Sequence, residues 1–147
     1  MEVFLASIQH LESLSILFDR YRVFYQQTSD IEAAKKFLQE RFNNNDSVVF
    51  AVANNGEMVG FTQLYPSFSS VSMKRIWIFN DLYVEEPYRR KGIANLLMNA
   101  AEKYAKESGA VRVILATQIA NTNAQKLYES RGYTKDKEFY HYALQLQ

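Results

Sequence analysis

The 147-residue chain has no cysteine, which excludes disulfides, thiolate metal sites and a covalent acyl-cysteine intermediate. Proline occurs twice and glycine five times, too seldom for a flexible or rigid linker, and no segment repeats, so one domain over residues 1–147 is expected. No apolar run approaches the ~20 residues that cross a bilayer, so no membrane partner is expected. The start, Met1-Glu2-Val3-Phe4-Leu5, has neither the basic opening nor the long apolar stretch of a signal peptide. Together with the missing cysteine, this fits a cytoplasmic location. An excess of one charge is lacking too: 17 Lys and Arg against 16 Asp and Glu leave +1, which gives no general footprint for nucleic acid. The two histidines, His10 and His141, stand far apart in the chain, and no metal is expected.

What is present is a well-filled apolar fraction, 48%, with ten Tyr and ten Phe. Most of these must build a core, although tyrosine at this density also suits a pocket with hydroxyls beside apolar walls. Val3 to Ser7 reads as a first strand. His10 to Tyr25 carries Leu11, Leu14, Leu17, Phe18, Tyr21 and Tyr25 at helical spacing. Asp30 is placed to cap a second helix bearing Ile31, Ala34, Phe37, Leu38 and Phe42, which Asn43-Asn44-Asn45-Asp46 ends. Two β-rich runs, Ser47 to Ala53 and Met58 to Tyr65, flank Asn54-Asn55-Gly56, a hairpin signal. Pro66 to Ser70 reads as a loop. Met73 to Val84 is a third strand in which Ile76, Ile78, Asn80 and Leu82 alternate against Trp77, Phe79, Asp81 and Tyr83. From Gly92 the period changes to 3.6, with a stripe of Ile93, Leu96, Leu97, Ala100, Ala101 and Tyr104. Val111 to Thr117 reads as a strand, Asn123 to Arg131 as a helix, and Phe139 to Leu146 as a last strand. This order predicts an α/β fold with a mixed, partly parallel central sheet and helices on both faces.

Chemistry concentrates where the third strand gives way to the third helix, at Val84-Glu85-Glu86-Pro87-Tyr88-Arg89-Arg90-Lys91-Gly92-Ile93-Ala94. The first turn of a helix offers unpaired N–H groups and the positive end of the dipole. Gly92 and the small Ala94 admit close approach, and Arg89, Arg90 and Lys91 add positive charge. The segment is therefore an anion site suited to a diphosphate. Neither Gly-x-x-x-x-Gly-Lys-Ser/Thr nor Gly-x-Gly-x-x-Gly is present. A solvated basic loop before a surface helix is the competing reading of the short motif.

Arg89-Arg90-Lys91-Gly92-Ile93-Ala94 resembles the Arg/Gln-x-x-Gly-x-Gly/Ala coenzyme A loop of the GNAT acetyltransferases, with Ala94 at the last position. Asp81-Leu82-Tyr83-Val84 resembles the strand whose bulge exposes backbone to pantetheine. Asn121-Thr122-Asn123-Ala124-Gln125-Lys126-Leu127-Tyr128, continuing to Gly132-Tyr133, is similar to the family's second motif, Asn-x-x-Ala-x-x-Leu-Tyr-x-x-x-Gly-Phe/Tyr. The two motifs stand in the family's order, and the resemblance covers essentially the whole chain. Asn80 to Val84 followed by Tyr88-Arg89 resembles the polyamine and small-amine enzymes.

The resemblance implies acetyl-CoA as co-substrate and a small-molecule primary amine as acceptor, with direct attack in a ternary complex. It implies that N–H groups of Arg89, Arg90, Lys91, Gly92, Ile93 and Ala94 hold the pyrophosphate. The backbone of Leu82 and Val84 would bind pantetheine, and the Val84 N–H would face the thioester oxygen. Tyr128 is implied as the acid that protonates the departing thiolate, and Asn121 as an amide anchor for the coenzyme. Asn121 also reads as a helix cap, with Asn123 the better placed of the two for that role. Where polyamine-type enzymes carry a Glu, this chain has Asn80, which cannot accept a proton. Asp81 is then the candidate base or ammonium anchor, and Glu85 the second. Tyr21 and Tyr25 are candidates for the acceptor wall through cation–π contact. A homodimer is expected on the resemblance alone. Two alternatives stay open: acetylation of protein lysines or N-termini, and a non-catalytic acyl-CoA-binding module.

Overall fold

A computed structural model describes all residues from Met1 to Gln147. They divide into two compact units, Met1–Leu115 and Ala116–Gln147. The first holds five strands, β1 (Glu2–Leu5), β2 (Val48–Asn54), β3 (Glu57–Ser69), β4 (Lys74–Val84) and β5 (Arg112–Ile114). Its helices are α1 (Leu11–Phe24), α2 (Ile31–Asn44) and α3 (Ile93–Glu107). The sheet runs β1-β2-β3-β4-β5, antiparallel until β4, which pairs β5 in parallel through α3. The mixed sheet expected from the sequence is thus present.

Alternation along β2 explains the layering. Val49 and Ala51 pack with Leu14, Leu17, Phe18, Ala34 and Leu38 of α1 and α2. Val52, one residue further, belongs with Val59 of β3 and Ile93 and Leu97 of α3. Successive strand residues point to opposite faces, so α1 and α2 cover one face and α3 the other. The Asp30 carboxylate accepts from Ala33 N–H at 3.0 Å and caps α2, whose end is the left-handed Asn45 (φ 51°). Asp19 of α1 accepts from Ser29 Oγ at 2.6 Å and Asp30 N–H at 2.7 Å, fixing the α1–α2 connection. At the β2–β3 hairpin Asn55 and Gly56 both have positive φ, as a two-residue turn demands.

The loop expected at Pro66 to Ser70 is instead mostly strand: Pro66 pairs with Trp77 and β3 continues to Ser69. The β2 ladder ends at Leu64, so beyond it β3 has a single partner and one side on which a missing N–H costs nothing.

Candidate active site

The β3–β4 register passes from Leu64↔Phe79 to Gln63↔Asp81, which leaves Asn80 as one extra residue on β4. This β-bulge reverses the side-chain alternation read from the sequence. Trp77 faces α3, where it meets Tyr104 and Ser108. Asp81, four residues on, faces α1 and accepts from Tyr21. An unbroken strand would put both on one face.

The parallel ladder to β5 ends at Ile78↔Ile114. Beyond it, Glu85 N–H donates to Val59 O at 2.9 Å. Bonded and non-bonded pairs alternate in an antiparallel ladder, so Val84/Gly60 and Leu82/Thr62 are the non-bonded pairs. The N–H and C=O of Leu82 and Val84 therefore point away from β3, towards the edge that β5 has left. From that side Arg89 Nε reaches Val84 O at 2.8 Å.

This edge leads into the basic loop. Arg90 (φ 62°) and Gly92 (φ 83°) are left-handed, and Gly92 is the N-cap of α3 without any side-chain cap. The first intrahelical bond is from Leu96 N–H to Gly92 O, and the N–H groups of Arg90, Lys91, Gly92, Ile93 and Ala94 have no acceptor within the chain. Five bare amides at the positive end of a 15-residue helix form an anion cradle. Arg89 stands apart from the other loop residues. Its N–H closes a short turn onto Glu86 O at 3.2 Å, while its guanidinium folds back over the Phe24 and Tyr83 rings, 5.1 and 5.6 Å from their centroids. Lys91 Nζ lies 5.6 Å from the Tyr88 ring centroid. Gly60 completes the support: a Cβ there would stand 3.2 Å from Ile93 Cγ2 and 3.2 Å from Tyr83 O, so its hydrogen lets the first turn of α3 settle on the sheet.

On the α1 face, Asp81 is 6% exposed and fully engaged. Oδ1 accepts from Tyr21 Oη at 2.8 Å and Asn80 Nδ2 at 3.1 Å, and Oδ2 from Gln63 Nε2 at 3.0 Å. Burial, then the Asp81 charge, pushes the Tyr21 hydroxyl well above the usual phenol range, and the same two causes raise Tyr65. Gln63 Oε1 is buried without a partner. Tyr21 is thus both a wall and a donor, with its ring against Phe61, Tyr83 and Tyr25. Tyr25 is more exposed, at 40%. Glu85 is paired with Arg20 at 2.5 Å, a bond that raises the Arg20 guanidinium. A cleft of about 750 Å³ opens here, lined by Asp19, Arg20, Phe24, Tyr83, Glu85 and Arg89 among others. Gln63, Phe24, Gly60 and the Arg20–Glu85 pair escaped the sequence reading. A polar Gln inside a run of buried β3 residues was the one available signal.

In the second unit, α4 spans Thr122–Ser130. Asn121, not Asn123, is its cap, with Oδ1 accepting from Ala124 N–H at 3.2 Å. The helix begins one residue earlier than the sequence suggested, which moves the capping position back. Gln125 Nε2 donates to Ile119 O at 2.8 Å and steadies the approach to the helix. Tyr128 lies on α4, its ring centroid 6.1 Å from that of Tyr133, whose N–H donates to Tyr128 O at 3.1 Å. Asp136 accepts from the N–H groups of Glu138 and Phe139, which hold its carboxyl below the usual range. No strand is assigned over the expected Phe139 to Leu146. A strand exists only through its ladder, and this unit taken by itself has no other strand to pair with.

A splayed parallel edge runs into an uncapped helix start, and the comparisons show which family has this fold. The model of the acetyltransferase (GNAT) family matches residues 12–133. An uncharacterized N-acetyltransferase of Bacillus subtilis (strain 168), YhfO, is 46% identical over 144 residues, 98% of this chain and 97% of that protein. A crystal structure of a probable acetyltransferase has a TM-score of 0.95 at 43% identity, covering 100% of this chain and 99% of that one. L-ornithine N5-acetyltransferase NATA1 of Arabidopsis thaliana is 34% identical over 105 residues, 71% of this chain and 41% of that protein. The chain belongs to the GNAT family and is an N-acetyltransferase, an enzyme that moves acetyl groups to amines.

Proposed function

We propose that this enzyme acetylates the primary amine of a small molecule with acetyl-CoA, the amine attacking directly in a ternary complex. The observation that carries the reading is two successive sets of unpaired donors, the outward N–H groups of Leu82 and Val84 on the strand edge and then the loop amides of Arg90–Ala94. An extended chain bearing amides and ending in a diphosphate has the complementary acceptors in the same order. Bound there, acetyl-CoA would supply an activated thioester.

The chain's own residues then have the following parts. The Leu82 and Val84 N–H groups hold the amide arm as a neighbouring strand would, and the Val84 N–H stabilises negative charge on the acetyl oxygen. The amides of Arg90, Lys91, Gly92, Ile93 and Ala94 hold phosphate, with Arg90 and Lys91 adding charge. Asp81 is an anionic group beside the Asn80 bulge that attracts the acceptor's ammonium and takes its proton, directly or through water. Three neutral donors, Tyr21 Oη, Asn80 Nδ2 and Gln63 Nε2, hold its two oxygens in place. Tyr21 orients Asp81, and Tyr21 and Tyr25 form part of the acceptor wall. Tyr128 returns a proton to the thiolate. That role, and the amide anchor at Asn121, rest on the motif Asn121–Tyr133. One catalytic domain over the whole chain is supported by the family match, which runs through residues of both units.

The test is free-thiol release on mixing the enzyme, acetyl-CoA and a panel of small amines, alongside lysine-bearing and free N-terminal peptides. Thiol release above buffer with a small amine is expected. Release with peptides only would transfer the acceptor to proteins, and tight CoA binding without release for any acceptor would make the chain a binding module.

A further inference from the structure

Gln63 stands where packing alone would place an apolar side chain. Every residue of β3 from Val59 to Leu64 is buried, and Gln63 is 0% exposed among them. The bulge decides what it meets. With Asn80 as the extra residue, Gln63 pairs across the ladder with Asp81; a regular register would set it opposite Asn80. Its Nε2 donates to Asp81 Oδ2 at 3.0 Å. An ionised carboxylate only accepts, so the amide is turned with its nitrogen towards Asp81 and its oxygen away. That oxygen, Oε1, is buried without a partner. An unmatched buried acceptor costs stability, and two apolar residues facing each other at 63 and 81 would carry no such penalty. What the polar pair adds is a carboxylate held in one orientation.

The rest of that hold is on the other oxygen: Oδ1 accepts from Tyr21 Oη at 2.8 Å and Asn80 Nδ2 at 3.1 Å. Gln63 is the only donor on Oδ2. A carboxylate has about four acceptor positions, and the fourth lies on that same oxygen. Around Asp81 stand Tyr21 from α1, Gln63 and Tyr65 from β3, and Asn80 beside it; the charges of Arg41 and Asp46, at and after the end of α2, reach Tyr65. From this we infer that Gln63 is a positioning residue of the acetyl transfer, turning Asp81 so that the open position on Oδ2 receives the acceptor's proton. The ammonium gives one proton to Oδ2, which leaves a neutral amine with its lone pair free and a neutral carboxyl. The inference rests on the reading of Asp81 as the proton-accepting group and names the contact that orients it.

Thiol release from acetyl-CoA is measured with putrescine, spermidine, lysine and ornithine, and kcat and KM are taken on the fastest. Gln63→Met keeps the length and removes the donor. It should lower kcat by about tenfold, and Asp81→Asn by on the order of 10²-fold or more. In the Asp81→Asn background the same Gln63→Met change should alter turnover by less than about twofold, because the group it acts through is gone. CoA affinity in calorimetric titration should stay at the wild-type value throughout. Gln63→Glu gives a second readout, and carries the test should Gln63→Met not fold. Two carboxyls in contact share a proton, and the last one leaves only at raised pH. While the pair keeps it, Oδ2 is not free. The kcat/KM of Gln63→Glu divided by that of wild type, on one amine, cancels the amine's own ionisation. The ratio should be low in acid and climb towards one with rising pH, its depression about tenfold for each unit of displaced ionisation. A packing role alone would give a ratio independent of pH. A flat ratio, or equal losses from Gln63→Met in both backgrounds, would overturn the inference and leave Asp81 in its part. Asp81→Asn as active as wild type would remove the proton-accepting reading itself, and the inference with it. No release with any small amine would remove the small-amine reading as well.

Discussion

Replacing Gly60 with alanine probes the joint between the sheet and the cradle. The added Cβ would lie 3.2 Å from Ile93 Cγ2, 3.2 Å from Tyr83 O and 3.4 Å from Leu97 Cδ1. Tyr83 O belongs to the paired β4 backbone and gives little. The movement therefore falls on Ile93 and Leu97, in the first turns of α3. Overpacking of this kind costs ~1–3 kcal/mol. Alanine in a strand recovers ~0.5–1 kcal/mol by restricting the unfolded chain. The net loss is about 0–2.5 kcal/mol by these two terms, at most several degrees of Tm for a protein of this size. Ile93 is the residue after Gly92, so a shift of a few tenths of an ångström passes directly to the amides at the helix start. Urea denaturation should report the modest stability loss, and calorimetric titration with CoA a weaker Kd beyond what unfolding explains. A variant as stable and as tight as wild type would mean that α3 does not rest on Gly60. Lost stability with unchanged CoA affinity would separate the first turn of α3 from phosphate binding altogether.

Gly92→Glu should abolish CoA binding measured by the same titration. The position is open, with nothing within 4 Å of a Cβ, but its φ of 83° strains any other residue by ~1–2 kcal/mol and the carboxylate faces the phosphate site. Gly92→Ala carries only the strain and should keep most of the affinity; equal losses would mean that charge is irrelevant there. Tyr128→Phe should lower kcat on the order of 10²-fold with acetyl-CoA affinity nearly unchanged, as for a lost general acid. Unchanged turnover would remove Tyr128 from that role. Tyr21→Phe should destabilise the fold by ~1.5–3 kcal/mol at neutral pH, through its bond to the Asp81 carboxylate. Above pH ~10 the unfolded chain ionises its tyrosine while the raised native hydroxyl stays neutral, so wild type loses this advantage as pH rises. The gap between the two in denaturant titrations should therefore narrow in alkali; a constant gap would refute the assigned partner.

Local signals carried far in this sequence. Asn55-Gly56 can only make the turn it makes, because both residues need positive φ. Asp30 is followed by an amphipathic run and caps it. The basic loop was legible because strand, glycine and helix each left their own mark around Arg89–Ala94. What escaped were long-range relations. Asp19 ties two helices through donors ten and eleven residues away. Arg20 meets Glu85 across 65 residues. Gly60 reads as an ordinary strand glycine until α3 is laid upon it. Arg89 was legible as a loop cation, but where its side chain turns depends on Phe24 and Tyr83, which only the fold brings together.

The family resemblance of Asp81–Val84 implies a bulge in this strand, but the residue alternation alone does not place it at Asn80, and the reason is physical. Apart from Asn80 and Asp81 themselves, residues Ile76 to Val84 are apolar or aromatic on both faces, so their alternation carries no sign that would reveal one added residue. Yet that residue places the site. Without it, Asp81 would share the α3 face with Trp77, far from the Tyr21 hydroxyl and the Gln63 amide that hold it on the other. Past the same point β5 no longer pairs with β4, and the outward N–H groups of Leu82 and Val84 are left without a strand partner. A single extra residue thus separates two requirements that a regular strand would set against each other. The acid turns towards Tyr21 of α1 on one face, and the backbone stays free of a strand partner along the edge, within a few residues of each other.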